Sequence, residues 1–199
     1  MTSPRTLTQR HRAQQLLLRR ATVAQVAKLW PALDWARLDA TFPNFALSVA
    51  ALVQRNRQTS SGLAAQYLRA FRLASGVPGE LKVVHAEPLI VDQFATSLRV
   101  TSVIAAKNSA ASGKAADAAM SDALTMTQGA MARMVLDGGR ETATLTGVYD
   151  SRSPGFRRVL GGGGCDWCKQ FIDDEIHYTD GYDFDAHDHC GCTVEPVYE

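Results

Sequence analysis

The residues best suited to chemistry lie in the last 35 positions of the 199-residue chain. All four cysteines occur there, as two short pairs, and two histidines stand just before the second pair. These six candidate metal ligands are Cys165, Cys168, His187, His189, Cys190 and Cys192. Thiolates and imidazoles are the usual ligands of zinc, and two cysteines separated by two residues can turn back onto one ion. The spacing therefore predicts a metal site near the C-terminus.

Three of these residues are the expected core of the ligand set: Cys165, Cys168 and Cys190. The fourth ligand could be His187, His189 or Cys192. On an extended segment Cys190 and Cys192 point to the same side, so they could share one metal. Because a structural zinc site is closed by four protein ligands, this surplus of donors predicts one structural zinc. The alternatives are a disulfide pair or reduced thiols that bind nothing.

The N-terminus shows no apolar signal core behind Met1. No run of the sequence approaches the ~18 apolar residues that a membrane span requires. We therefore expect a protein that is made and kept in a reducing cytoplasm and has no membrane partner. A reducing compartment favours a metal over a disulfide at the cysteines.

Charge is distributed unevenly along the chain, although the net formal charge is only +1. Residues 1–85 carry 12 Lys or Arg and 3 Asp or Glu, whereas residues 151–199 carry 4 and 10. A basic front and an acidic back indicate surfaces with different partners. The candidate contacts to DNA or to an acidic partner are Arg10, Arg19, Arg55, Arg57, Arg69 and Arg72, with the last four expected on an exposed helix face. The other interpretation is that solvent simply covers this arginine-rich face.

Hydrophobic periodicity predicts helices through the first 150 residues. The predicted helices span residues 7–30, 44–75, 88–106, 114–137 and, as a short fifth helix, 140–150. Pro31 is expected to end the first helix, because a residue before proline avoids the helical region. Residues 31–43 are expected as a connector or a short helix. The second helix could break at Ser60-Ser61-Gly62, and Gly138-Gly139 is expected to close the fourth.

The last 49 residues have a different character. Residues 151–155 predict a linker or turn, and strands at 156–160 and 193–198 are expected to pair and cover the metal site. Pro196 suits only an edge strand. The fold class is therefore predicted as mainly α, with a helical body over residues 1–150 and a small zinc-stapled α+β module over residues 151–199.

Recognisable catalytic motifs are missing from the sequence. It contains no nucleophile elbow, no His-Glu-x-x-His and no zinc-deaminase signature. Cys165 with His187 or His189 could imitate a thiol hydrolase, but a cysteine bound to a metal is not a free nucleophile. We therefore expect that the protein is not an enzyme.

The C-terminal motifs resemble those of a known family. They are Arg157-Arg158-Val159-Leu160, a glycine stretch, Cys165-x-x-Cys168, and Ala186-His187-Asp188-His189-Cys190-Gly191-Cys192-Thr193-Val194-Glu195-Pro196-Val197. Together they resemble the C-terminus of Mu F-like minor head proteins of tailed bacteriophages, particularly those in phages of actinobacteria. The resemblance covers about the last 50 residues. It departs at Ala186, where phenylalanine is usual, and at Gly191, where histidine is common.

This resemblance implies a minor structural protein of the phage head, associated with the portal and acting in head morphogenesis or in DNA packaging and delivery. The implied partners are the portal protein and the major capsid or scaffold protein, with packaged double-stranded DNA as a further candidate. The implied location is the virion, and the host cytoplasm during assembly. The alternative is a cytoplasmic zinc-ribbon-like nucleic-acid-binding protein whose basic front grips DNA, which a steep salt dependence of binding would favour.

Overall fold

The structure, a computed structural model, describes residues 2–161, 166–170 and 184–198. Its elements are α1 (Pro4–Leu29), α2 (Leu38–Ala74), α3 (Val91–Arg99), α4 (Ala105–Ala111), α5 (Ala116–Tyr149), β1 (Gly155–Val159), α6 (Asp166–Lys169) and β2 (Thr193–Val197). Two 3-10 turns, Trp30–Ala32 and Trp35–Arg37, join α1 to α2, and a π-helical turn, Val100–Ile104, joins α3 to α4. The prediction of a mainly α fold is confirmed. Among the described residues, none of the helices is both long enough and apolar enough to span a membrane.

Three long helices, α1, α2 and α5, pack together and form the body of the molecule. The main core includes Val26, Phe45, Val49 and Met131 of these helices and Leu98 of α3, all of which are fully buried. Trp30 packs edge-on against Phe45, with ring centroids 5.6 Å apart. Because these apolar residues recur at helical spacing, each helix presents one apolar stripe to the same core.

Helix α1 begins where its sequence supplies a capping residue, but Pro31 does not end the helix in the way that was predicted. Ser3 caps the helix by accepting a hydrogen bond from the Thr6 amide at 3.3 Å, and Pro4 occupies the first helical position. Trp30 remains in the right-handed helical region despite preceding Pro31. The chain therefore tightens into a 3-10 turn, in which the Leu33 amide donates to the Trp30 carbonyl at 2.9 Å.

Helix α2 is longer than predicted and has no break. It begins at Leu38, contains Pro43, and continues through Ser60 and Ser61, so the connector ends at residue 37 and the expected break is wrong. The alternative of a short helix around Trp35 is confirmed by the 3-10 turn Trp35–Arg37. Ser60 donates from Oγ to Gln15 Oε1 of α1 at 2.7 Å, and Ser61 Oγ bonds the Thr142 hydroxyl of α5 at 2.8 Å. The two serines are buried and bonded across helix contacts, so they do not interrupt the helix.

Helix α5 continues through Gly138 and Gly139, which were expected to end it, and absorbs the predicted fifth helix. A Cβ at Gly138 would lie 2.6 Å from both Cγ and the carbonyl oxygen of Arg57 in α2. A Cβ at Gly139 would lie 2.7 Å from Gln15 Nε2 in α1. The glycines therefore permit close helix crossings, and no chain reversal occurs there.

The third predicted helix, residues 88–106, is displaced toward the C-terminus. Helix α3 begins at Val91, and the helical path continues through the π-helical turn and α4 to Ala111. The helical path therefore ends at Ala111 and not at the predicted residue 106. The chain turns at Gly113, whose φ of +93° lies in the left-handed region that glycine adopts without a steric penalty.

The predicted pairing of two C-terminal strands is confirmed. Strands β1 and β2 form an antiparallel two-stranded sheet in which Phe156 lies opposite Pro196. Both strands are edges, which accommodates the missing amide hydrogen of the proline. The side chains of Phe156 and Val194 are buried with Tyr67 of α2 in a second cluster. Helix α5 ends at Tyr149, next to the boundary predicted between residues 150 and 151, and the division into two domains stays a prediction.

Two arginines expected on an exposed face are buried. Arg57 forms an ion pair with Glu141 and donates to the Met134 carbonyl at 3.0 Å. Arg72 forms an ion pair with Asp150 and donates to the Pro78 carbonyl at 3.0 Å. Their exposed fractions are only 6% and 7%. The prediction of exposure is wrong for both, because each guanidinium serves as an internal link from α2.

The close crossing at Gly138 yields a test of helix packing. Gly138→Ala should lower the free energy of unfolding by about 1–3 kcal/mol, because the new methyl group overlaps Arg57. Gly147→Ala is the matched control on the same helix. No atom lies within 4 Å of its Cβ position, so alanine there should raise stability by up to about 1 kcal/mol. Urea unfolding of both variants measures the difference, and equal effects would show that α5 does not cross α2 this closely.

The buried His11 of α1 yields a test of pH dependence. Its ring stacks on Tyr67 with centroids 4.4 Å apart, and burial lowers the His11 pKa from 6.5 to about 4. Between these pH values the unfolded chain binds the proton more readily, so stability is lost as pH falls from 6.5 toward 4.

The His11→Phe variant keeps a stacking ring and removes the titrating group. On acidification from pH 7 to 4.5 it should lose about 2–3 kcal/mol less stability than the unsubstituted protein. Urea unfolding at the two pH values measures this difference. Identical losses in the two proteins would contradict the assignment to His11.

Candidate metal centre

Three buried thiols form a compact cluster. The sulfur atoms of Cys168, Cys190 and Cys192 all lie within 4.8 Å of one another, and each side chain is at most 5% exposed. Cys168 Sγ and Cys190 Sγ are 3.6 Å apart, far beyond the ~2.05 Å of a disulfide bond. Two thiolates on a tetrahedral ion with Zn–S bonds of about 2.3 Å would be about 3.8 Å apart. The cluster therefore has the spacing of a metal-ligand set.

Separate parts of the chain bring the thiols together. Cys168 lies in the short helix α6, whereas Cys190 and Cys192 lie in the turn just before β2. The Cys190 amide donates to the His187 carbonyl at 3.1 Å, and the Cys192 amide donates to Cys190 Sγ at 3.4 Å. His189 adopts a positive φ of 66°, which lets the segment reverse direction before the second cysteine pair. We call residues 187–192 the knuckle.

The knuckle lies against the end of β1. A Cβ at Gly161 would come within 2.5 Å of the backbone carbon and oxygen of Gly191. Only glycine therefore fits at position 161 without moving the knuckle. This is a structural role for one member of the glycine stretch, while residues 162–164 lie outside the described part of the chain.

Arg140 of α5 fixes the knuckle to the helical body. Its guanidinium donates to the Cys190 carbonyl at 3.2 Å and to the Cys192 carbonyl at 3.2 Å. Its Nη1 also donates to Asp137 at 2.7 Å, and the side chain is only 4% exposed. Sequence reasoning missed this residue, because it is distant in the chain from the cysteines and belongs to no motif.

Phe184 lies between two guanidinium groups. The Arg158 Cζ is 3.9 Å from the centroid of the ring, and the Arg140 Cζ is 5.5 Å from it. Both distances are within the range of cation–π attraction. Phe184 thus packs beside the thiols and links β1 to α5, two positions before Ala186, where the resembled family usually has its phenylalanine.

Hydrogen bonding makes the two knuckle thiols unequal. The hydrogen bond between the two thiols lowers the pKa of Cys192, against the opposing effect of burial. The same bond, together with burial, raises the pKa of Cys190. Since a thiolate is the form that binds metals, Cys192 gives up its proton to become a ligand more readily than Cys190, whose proton an ion would have to displace.

His187 is the imidazole nearest the thiols among the described residues. Its Nε2 lies 3.2 Å from Cys168 Sγ, and its ring packs edge-on against Trp167. Its Nδ1 lies 2.6 Å from the Asp188 carbonyl oxygen, which can only accept a hydrogen bond. This contact keeps the proton on Nδ1 and leaves a lone pair on Nε2, the usual arrangement in a metal-binding histidine.

The other predicted ligands have different positions. The His189 ring packs against Gly129 of α5, where an added Cβ would lie 2.6 Å from Nε2. Cys165 lies outside the described residues, so its predicted role as a ligand stays a prediction. Cys192, expected only as one choice for the fourth ligand, belongs to the described thiol cluster. Three cysteines could therefore hold a metal ion, with His187 adjacent to them.

The six arginines predicted as contacts differ in how exposed they are. Arg10, Arg55 and Arg69 are exposed, and Arg19 is half-buried beside a cavity next to the metal centre. Their predicted contact with DNA or a partner stays a prediction. Arg57 is committed to an internal ion pair, as is Arg72.

The thiol cluster predicts a loss of metal on substitution. Protein purified without chelator should carry about one zinc per chain, and Cys190→Ser should lose most of it because a buried ligand is removed. His189→Ala is the matched control in the same turn and should retain the ion, since its ring packs on Gly129. Elemental analysis measures the metal. Full occupancy in the serine variant would exclude Cys190 as a ligand.

Comparison with known families places the chain among viral gene products. The VG15 protein family matches residues 1–199, the whole of the chain. No curated protein and no solved structure matches it significantly. Because the family match covers both the helical body and the metal centre, this protein belongs to the VG15 family and is a phage protein.

Proposed function

We propose that this phage protein is a minor structural component of the head, associated with the portal and acting in head morphogenesis or in DNA packaging and delivery. The observation that carries the proposal is the buried cluster of Cys168, Cys190 and Cys192. These cysteines occupy the motif that resembles Mu F-like minor head proteins, and membership in a phage family supports the same interpretation.

The ion proposed at this cluster is one structural zinc. A thiol-rich tetrahedral site is typical of zinc, and a site closed by four protein ligands leaves no position for a reacting water. Three ligands would come from the buried thiols, and the fourth from His187 or Cys165. In this proposal the ion maintains the shape of the C-terminal segment, and the protein is not an enzyme.

Contacts of strands β1 and β2 and of the knuckle with the helical body support a role for the metal centre in maintaining a contact surface. Glu195 of β2 is buried and accepts hydrogen bonds from Thr8 of α1 and from Arg157 of β1. Arg140 joins the knuckle to α5. A metal ion would therefore stabilise a surface built from both ends of the sequence, as a protein that contacts a portal and a capsid or scaffold requires.

The exposed arginines provide the second part of the proposal. Arg10 lies on α1, and Arg55 and Arg69 lie on α2, all three in solvent. Among the described residues, none of the three has an ion-pair partner within 4.0 Å. This basic face is proposed to meet packaged DNA or an acidic rim of the portal.

Fractionation of infected cells tests the proposal. The tagged protein should co-purify with DNA-free heads and with the portal, and washing at high salt should leave this association in place. Arg55→Glu with Arg69→Glu should reduce incorporation into heads while leaving zinc content unchanged, because both side chains are exposed.

Recovery of the protein only in the fraction free of heads would contradict the proposal that it is a component of the phage head. Tight binding to free DNA that falls steeply with salt, without any association with heads, would favour the nucleic-acid-binding alternative. If the variant with Arg55→Glu and Arg69→Glu entered heads at the normal level, the basic face would be only a solvent-covered helix surface.

A further inference from the structure

A cavity separates helix α1 from the metal centre. Its volume is about 710 Å³, which lies within the range of small-molecule sites in proteins. One wall carries Arg12, Arg19 and Arg20, and the other includes His187, Cys190 and Gly191. We call it the arginine cavity. The sequence had suggested Arg19 as a contact, but gave no reason to group it with Arg12, Arg20 and the knuckle.

The arginine cavity concentrates positive charge on its α1 wall, and the thiols of the metal centre lie on the wall opposite. Helix α1 carries six Lys or Arg and no Asp or Glu. In the described part of the chain, no ion pair includes Arg12, Arg19 or Arg20, and no carboxylate lines the cavity. Three guanidinium groups on one wall therefore attract an anion.

Arg12 adds a specific unmet requirement. Its Nε atom is buried and has no hydrogen-bond acceptor among the described residues. A buried donor without an acceptor lowers stability, whereas a hydrogen bond from a charged donor is among the stronger ones. Because this atom is closed to water, a ligand oxygen in the cavity would reach it only with a movement of the Arg12 side chain.

Two further arginines lie near the thiols, outside the arginine cavity. The arginine that contacts the knuckle backbone is Arg140, and Arg158 lies on the same side, across Phe184 from it. Both belong to β1 or α5, and neither lines the arginine cavity. The metal centre therefore has cations other than those of α1 beside it.

We propose that the arginine cavity binds a phosphate group, carried either by a nucleotide or by the backbone of a nucleic acid. Guanidinium groups bind phosphate through paired, planar hydrogen bonds. Arg12 and Arg19 are seven residues apart, so they share a helix face about two turns apart. Flexible arginine side chains from these positions can converge on one phosphate or bind neighbouring phosphates of one ligand. The inference does not depend on residence in the phage head.

Binding measurements on the full zinc-loaded chain test the site. The probes are inorganic phosphate, ATP and a 12-nucleotide DNA duplex, with acetate as the carboxylate comparison. Arg12→Gln with Arg19→Gln should raise the Kd of the bound phosphate probe about tenfold or more. Arg5→Gln with Lys28→Gln is the matched control, because it removes the same charge from exposed positions of the same helix that do not line the cavity. It should raise the Kd by less than about threefold.

The outcomes separate the sources of the phosphate. Binding of ATP or inorganic phosphate identifies a nucleotide or free-phosphate site, and binding of the duplex alone identifies a backbone site. Equal losses in the cavity and control variants would overturn the proposal, because they would indicate only general attraction. Equal affinity for acetate, or no binding of any phosphate probe, would also overturn it. If the double variant loses zinc, Arg20→Gln alone, at an exposed lining residue, replaces it.

Discussion

Three consecutive residues of α5 bring the helical body and the metal centre into contact. Gly138 lies against Arg57 of α2, and Gly139 lies against Gln15 of α1. Arg140 then donates to the carbonyls of the cysteine knuckle. The two glycines allow the helices to approach, and this approach places the guanidinium within reach of the knuckle. A side chain at either glycine would therefore disturb both the bundle and the geometry of the thiols.

The parts of the fold with strong local patterns could be predicted from the sequence. The apolar stripes predicted the long helices, and the change of character in the last 49 residues accompanied two predicted strands that do pair. The breaks at Ser60-Ser61 and at Gly138-Gly139 were wrong for a common physical reason. Small and polar residues favour turns when solvent surrounds them, but here they are buried where helices cross. Local propensity does not report which neighbour a residue will meet.

The candidate site could also be predicted only in part. Cysteine spacing identified the C-terminal cluster, because ligands of one ion must be close in the fold and usually occur in short pairs. The contributions of Arg140 and Phe184 could not be found in the same way, since they depend on packing between distant segments. The charge count led to a wrong prediction of exposure for Arg57, which is buried and paired with Glu141. A count of arginines cannot distinguish a solvated side chain from an internal link.

The contact between Thr8 and Glu195 has a consequence for the order of events during synthesis. These residues are 187 positions apart, yet their side chains share a buried hydrogen bond. The surface of α1 that receives β2 stays uncovered until the ribosome has released residue 195, long after the three long helices can collapse together. Contacts between distant segments form slowly, because the intervening chain must first be ordered. The proposed capture of an ion by the thiols therefore also waits until Cys190 and Cys192 have been synthesised.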